Sequence, residues 1–295
     1  MDPAIVAFGL GVGILVGMTG IGGGSLMTPM LILVFGVTPV TAVGTDLAYG
    51  AVTKTVGAYK HWRQGTVDFA LSTWMAVGSV PAAIGGVYVL DLIESAAGQG
   101  FDDLLITILA GTLLLCGAAT LARAFLKRFH ERERAELPME RRHKVGAVAL
   151  GVAVGFVIGV TSAGSGALIA VGLILVFRLV PRRVVGTDVF HAAIVLWAAA
   201  MAHIVSGNVD FGLAGNILVG SVPGVWLGSH WSVRVPVPVL RATLAVVLIG
   251  AGLALLIKVG AGIPVEAIVP FPVAVIVLMV VVALRDRRGP APNTA

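Results

Sequence analysis

The chain states its plan twice. Residues 12–86 align with residues 154–228 at a constant offset of 142 without a gap, and 31 of those 75 positions are identical. LILVF recurs at 31–35 and 173–177, VGTD at 43–46 and 185–188, VDF at 67–69 and 209–211, and VGSVP at 77–81 and 219–223. HxxxG recurs at 61–65 and 203–207. The copies preserve Gly, Thr, Asp and His along with the apolar background. Whatever this chain folds into must therefore be built from two related halves. Two hydrophobic halves that repeat their polar residues as well as their apolar ones point to a shared polar centre, an arrangement common among secondary transporters.

The background is that of a membrane protein. Hydrophobic residues make up 58% of the chain and charged residues 12%, against roughly 25% charged in ordinary soluble domains. Apolar stretches of about 20 residues recur, long enough to cross a hydrocarbon core of about 30 Å. The single cysteine, Cys116, excludes an intramolecular disulfide framework and a CxxC metal site. The net charge of +5 does not argue for nucleic acid, because most of the basic residues sit in loops where membrane topology explains them. The N-terminal MDP lacks the basic start of a cleavable signal, and the apolar run after it belongs to the repeat.

Charge in the loops sets an orientation. Residues 123–144 mix Arg and Lys with Glu and read as a cytoplasmic linker. Walking outward from it, spans are expected at Asp102–Ala122, Val67–Leu90 and Thr41–Tyr59, with an acidic loop Asp91–Gln99 outside and Lys60 and Arg63 inside. In the second half Arg178, Arg182, Arg183 and Arg234 fall inside and Ser206–Asn208 outside. A last span, Pro264–Leu284, ends in Arg285, Arg287 and Arg288. Matched loops carry opposite bias: Lys60 and Arg63 align with Ala202 and Val205, whereas Arg178, Arg182 and Arg183 align with Gly36, Val40 and Thr41. Homology with reversed loop charge predicts inverted-topology repeats. The expected organisation is a first repeat over 1–122, the linker 123–144, a second repeat over 145–258, and an extra span with a basic tail over 259–295. The N-terminus is expected outside and the C-terminus in the cytoplasm of a bacterial inner-membrane protein.

Each half contains a Gly-rich interruption, GMTGIGGGSLMTP at 17–29 and GVTSAGSGALIA at 159–170. Glycine runs and Thr-Pro disfavour a continuous helix, so each reads as a broken or re-entrant element near the midplane, with eight to eleven membrane segments in all. Non-helical backbone persists in a membrane only where protein buries it or it lines a polar cavity. Freed N–H groups beside hydroxyls suit a small anion. The candidate binding set is Thr19, Gly22, Gly23, Gly24, Ser25, Thr161, Ser162, Gly164, Ser165 and Gly166. Close helix packing through small residues is the competing explanation of the same glycines.

Ionisable residues inside the apolar spans add to this set. Asp46 and Asp188 follow Thr45 and Thr187 at matched positions, His191 lies one turn beyond Asp188 on the same face, and Lys54 lies two turns beyond Asp46. Such groups usually face a cavity, a partner or a pathway. Lys54 is expected to supply positive potential to the anion. Asp46, Asp188 and His191, supported by Thr45 and Thr187, are candidates for proton coupling. The i+8 spacing keeps Asp46 far from Lys54 along one helix. His61 and His203, before their glycine turns, read mainly as structural. No GxxxxGK[ST] phosphate loop, HExxH or nucleophile–base pair is present, so no enzyme, metal site or cofactor is expected.

GMTGIGGGSLMTP with AVGTDLAYG and HWRQGTVDF, and GVTSAGSG with VVGTDVFH and HIVSGNVDF, resemble the TauE/SafE family of sulfite and organosulfonate exporters over roughly residues 5–258. The resemblance implies a cytoplasmic-membrane carrier of small sulfur-containing anions without a covalent cofactor. The expected function is thus export of a small sulfur oxyanion such as sulfite or an organosulfonate. An uncoupled anion channel and a non-transport membrane assembly factor are the alternatives. The expected partners are the anion and membrane lipid, not nucleic acid; the oligomeric state stays open, a homodimer included.

Overall fold

The structure, a computed structural model, describes residues 2–19, 24–125, 139–232 and 237–262. These form ten α-helices, five to each half: α1 (Pro3–Thr19), α2 (Gly24–Val34), α3 (Pro39–Arg63), α4 (Phe69–Ala97) and α5 (Phe101–Phe125), then α6 (Arg141–Thr161), α7 (Leu168–Leu175), α8 (Pro181–Val205), α9 (Phe211–Ser232) and α10 (Val237–Lys258). Helices α4, α5, α6, α8 and α9 are long and apolar enough to cross a membrane; α1, α2 and α10 are shorter and apolar. The linker residues 126–138 and the expected last span, Pro264–Leu284, lie outside the described residues. The acidic segment expected as the loop Asp91–Gln99 differs: α4 continues through Ala97, and only Gly98–Gly100 form a 3-10 turn before α5. A helix satisfies its backbone internally, so it can extend past the hydrocarbon core at little cost.

The repeated motifs make repeated local structure. Pro39 and Pro181 open α3 and α8, where a missing N–H costs nothing. Both helices stop at the glycine of HxxxG. Gly65 and Gly207 adopt φ of 63° and 77°. The N–H of Thr66 donates to the His61 carbonyl and that of Asn208 to His203. This is a Schellman stop, for which a left-handed glycine is the preferred residue. VDF starts the next helix: the carboxylates of Asp68 and Asp210 accept from the N–H groups of Leu71 and Leu213 at 3.0 and 2.9 Å, capping α4 and α9.

Helices pair across the halves through glycine. Along α1, Gly9, Gly13 and Gly17 lie against the backbone of Ile217, Ser221 and Val225 of α9, and Gly220, Gly224 and Gly228 of α9 return the contact on Val6, Leu10 and Ile14. The matched pair repeats this: Gly151, Gly155 and Gly159 of α6 lie against Met75, Ser79 and Ala83 of α4. A Cβ on any of these would meet opposing main chain, so the helices approach as small-residue stripes allow. In both pairs the numbers rise together, and the paired helices run parallel. Helices α3 and α8 pack against each other in the opposite sense, with Gly50 on Leu196 and Gly57 on Val189, and so run antiparallel.

One end of the bundle gathers most of the described basic residues, while Lys258 at the end of α10 bonds the Ile32 carbonyl at the other. Arg183 donates from Nη1 to the Val67 carbonyl at 3.0 Å, joining the start of α8 to the end of α3, where Lys60 and Arg63 stand. Lys144, near the start of α6, lies 5.0 Å over the Trp74 ring of α4. At the other end, Ser206 donates to Asp91 at 2.7 Å.

Candidate functional site

The Gly-Thr-Asp triplets are where the halves interlock. Gly44 lies against the backbone of Asn208 and Gly186 against Thr66, so each triplet begins by admitting the opposite half's turn. The next residue bonds it: Thr45 Oγ1 accepts from the Asp210 N–H at 3.0 Å, and Thr187 Oγ1 accepts from the Asp68 N–H at 2.9 Å. Thr45 and Thr187 are thus structural ties between halves. The third residue turns to the glycine-rich interruptions.

In the second half the interruption is drawn out residue by residue. Helix α6 ends at Thr161, Ser162 takes the left-handed φ of 57°, Gly164 and Gly166 have φ of 112° and 90°, and α7 starts at Leu168. Glycine is the residue that adopts such values without strain. The Gly166 N–H donates to Asp188 Oδ1 at 3.1 Å, so this carboxylate holds the turn of its own half. In the first half α1 ends at Thr19 and α2 begins at Gly24. Gly22 and Gly23 lie outside the described residues, as does the side chain of Thr19. The break does not extend to Thr28-Pro29 as the sequence suggests, for Pro29 lies within α2.

Asp46 makes a different contact. Its Oδ2 lies 2.6 Å from Thr28 Oγ1 and 2.8 Å from Ser162 Oγ, and the two hydroxyls are 2.7 Å apart. A triangle of three oxygens thereby joins α2 and α3 of the first half to the broken turn of the second. Thr28, Asp46 and Ser162 are each 1% exposed, and Asp46 Oδ1 has no hydrogen-bond partner. Ser25 Oγ, on the same helix as Thr28, is also buried without a partner.

The antiparallel register of α3 and α8 separates the two carboxylates. Asp188 lies level with Ala58, twelve residues from Asp46, or ~18 Å along the helix axis at about 1.5 Å per residue. Lys54 lies one turn from Asp188 and interacts with it electrostatically across the halves. Its matched residue, Leu196, lies against Gly50, one turn from Asp46. One carboxylate therefore has a cation beside it and the other an aliphatic side chain.

The remaining candidates distribute unevenly. His191 is fully buried with its ring near the Ser72 backbone of α4, but neither ring nitrogen makes a well-formed hydrogen bond. Its counterpart Tyr49 faces Ser221 of α9. Thr161 Oγ1 donates to the Val157 carbonyl of its own helix at 2.7 Å, which occupies its proton. Ser165 and Gly166 are buried in the turn. His203 Nε2 lies 3.0 Å from the Gly159 carbonyl, and His61 Nδ1 lies 2.9 Å from Thr66 Oγ1; both serve the helix ends. Sequence reasoning missed Thr28, which reads as part of a Thr-Pro breaker, and Ser72, Tyr49 and Ser221, which carry no signal beyond being polar in apolar runs. An apolar groove of about 360 Å³ between α1 and α9, lined by Val6, Leu10, Gly220 and Pro223, lies apart from these groups.

Two halves interlocked by Gly-Thr-Asp, with buried carboxylates on broken helices, suit a carrier. The sulfite exporter TauE/SafE family model matches residues 5–255. The chain belongs to that family. It is 40% identical over 257 residues to "Probable membrane transporter protein YjnA" of Bacillus subtilis, covering 87% of this chain and all of that one. It is 32% identical to "Probable membrane transporter protein YdhB" of the same organism, over 83% of this chain and 96% of the relative. A "Probable membrane transporter protein" of Xylella fastidiosa is 30% identical over 79% and 87%. No solved structure matches significantly. The protein is a multi-pass membrane protein of a transporter family, whose members are described as transporters rather than enzymes.

Proposed function

We propose that this TauE/SafE member is a secondary exporter of small sulfur-containing anions, such as sulfite or an organosulfonate, across the bacterial cytoplasmic membrane, coupled to protons. Two inverted repeats move about an anion held between the glycine breaks. Inversion is supported by helix direction. Helix α1 runs with α9 and α6 with α4, while α3 opposes α8. Since short turns reverse α3 into α4 and α8 into α9, α1 and its counterpart α6 point in opposite directions. The anion would meet Ser25, the backbone at Gly22–Gly24, and Ser162–Gly166, with Lys54 supplying the countercharge. The observation that carries the reading is the contact of Ser162, in one half's broken turn, with Asp46 of the other: the interruption is a joint between halves and not only a packing device. Basic residues gathered at one end support a cytoplasmic linker and an outside N-terminus.

The test is counterflow in proteoliposomes. Liposomes preloaded with unlabelled sulfite or an organosulfonate should accumulate the labelled anion transiently. Steady leak without exchange would assign a channel, and no movement of any anion would sink the transport reading.

A further inference from the structure

Asp46, Thr28 and Ser162 share three contacts of 2.6, 2.7 and 2.8 Å, and each contact needs one hydrogen between its oxygens. An ionised carboxylate only accepts, and each hydroxyl brings one proton. With Asp46 ionised, two protons serve three contacts, and one pair of oxygens lies at hydrogen-bond distance with nothing between. A protonated Asp46 brings the third. The ring then closes: Asp46 Oδ2–H donates to Thr28, Thr28 to Ser162, and Ser162 back to Oδ2. The strongest donor, the acid, then makes the shortest contact, at 2.6 Å.

The surroundings agree with a neutral acid. From α2 Asp46 meets the hydroxyl and the backbone N–H of Thr28, from the broken turn Ser162, and from its own helix Tyr49, the one titratable neighbour that senses it. From α8, Leu196 is the residue one turn away, and α9 presents Ser221 to Tyr49. No charged side chain among the described residues interacts with Asp46. Its Oδ1 is buried without a partner, which is far less costly for the carbonyl of an acid than for an ionised carboxylate. Asp188 differs in having Lys54 one turn away.

We propose that Asp46 is the coupling residue and carries a proton in this conformation, where it latches the broken turn of the second half onto the first. The proposal rests on the transport reading and names where its proton sits. When the proton leaves Oδ2 for water, the electron pair stays on the carboxylate. Two hydrogens are then left for three contacts, Ser162 still donates to the carboxylate, and the ring opens at one of the edges made by Thr28. Asp188, by contrast, has Lys54 one turn away and accepts from the Gly166 N–H.

Infrared difference spectroscopy of the full-length protein in lipid, without added anion, tests this directly. At neutral pH the wild type should show the carbonyl stretch of a protonated carboxyl group. The band should be lost in Asp46→Asn and retained in Asp188→Asn. Ser162→Ala and Thr28→Val should shift it, since each removes one member of the ring, and this decides the matter should Asp46→Asn fail to fold. Absence of the band in the wild type, its persistence in Asp46→Asn, or an unshifted band in both hydroxyl variants would overturn the proposal. So would abolition of the band by sodium at constant pH, which would assign a metal cation to the site. The band is read without transport, so a protein that shows it but exchanges no anion refutes the transport reading alone.

Discussion

At the scale of single residues, the two half-sites are homologous in position and unequal in chemistry. Lys54 stands where the second half has Leu196, and Tyr49 where it has His191, so Asp188 has a lysine one turn away and Asp46 does not. If Lys54 holds the anion, Lys54→Met should raise the anion Kd by about tenfold to a hundredfold, the equivalent of ~1.5–3 kcal/mol for a hydrogen bond to a charged group. Isothermal titration calorimetry with sulfite measures it. The same substitution strands Asp188, which lowers stability for a separate reason. Lys54→Met combined with Asp188→Asn should recover the melting temperature and leave binding weak. Recovery of binding as well would make Lys54 only a partner of Asp188. Gly164 offers a backbone test. Its φ of 112° is one that side chains rarely adopt, and a Cβ there would crowd Leu168. Gly164→Val should therefore abolish transport while leaving expression in the membrane largely intact. Normal transport by the variant would place the cavity elsewhere.

At the scale of elements, many glycines serve close packing rather than the breaks. The stripes on α1, α6 and α9 let main chains meet across the halves, and a Cβ at Gly155 would land on the Ser79 backbone. Gly155→Ala should therefore cost about 1–3 kcal/mol as overpacking, whereas Gly111→Ala, with nothing within 4 Å of its Cβ, should gain roughly 0.5–1 kcal/mol in helix propensity. Thermal unfolding in detergent should lower the midpoint for the first and not for the second. The sequence shows the elements well: α3 and α8 begin and end at residues offset by 142, as the ungapped repeat requires. It shows the second break too, since SAGSG has few helical alternatives. Thr28 was hidden because Thr-Pro reads as a stop. Pro29 stands at the middle of α2, where it deprives the helix of the backbone bond to Ser25. The partners of Asp46 and Lys54 were hidden for a different reason. Ser162 is 116 residues from Asp46, and Asp188 reaches Lys54 only through the antiparallel docking of α3 on α8. A periodicity describes the faces of a helix and says nothing of which face of another helix it meets.

At the scale of the whole molecule, two halves built from one plan interlock along their lengths. The reciprocal pairing of α1 with α9 and of α4 with α6 means that neither half closes by itself: each long helix of one buries the glycine stripe of the other. On the proposed reading the halves are inverted repeats of a carrier, and exchanging them exchanges inside for outside. The equality is broken at the carboxylates and at the loops. The last turn of α3 carries Lys60 and Arg63, while the last turn of α8 carries Ala202 and Val205 at the matched positions. Gly65 and Gly207 stand at equivalent Schellman stops, each with left-handed φ and open space where a Cβ would stand. A cysteine beside either glycine is therefore a reporter of side with the same local geometry in both. In Cys116→Ala protein in intact cells, a cysteine at Gln64 should react with an impermeant maleimide only after the membrane is opened, and a cysteine at Ser206 should react without opening. Labelling of both from one face would require matched helices to point the same way, and the inverted reading would fall with it.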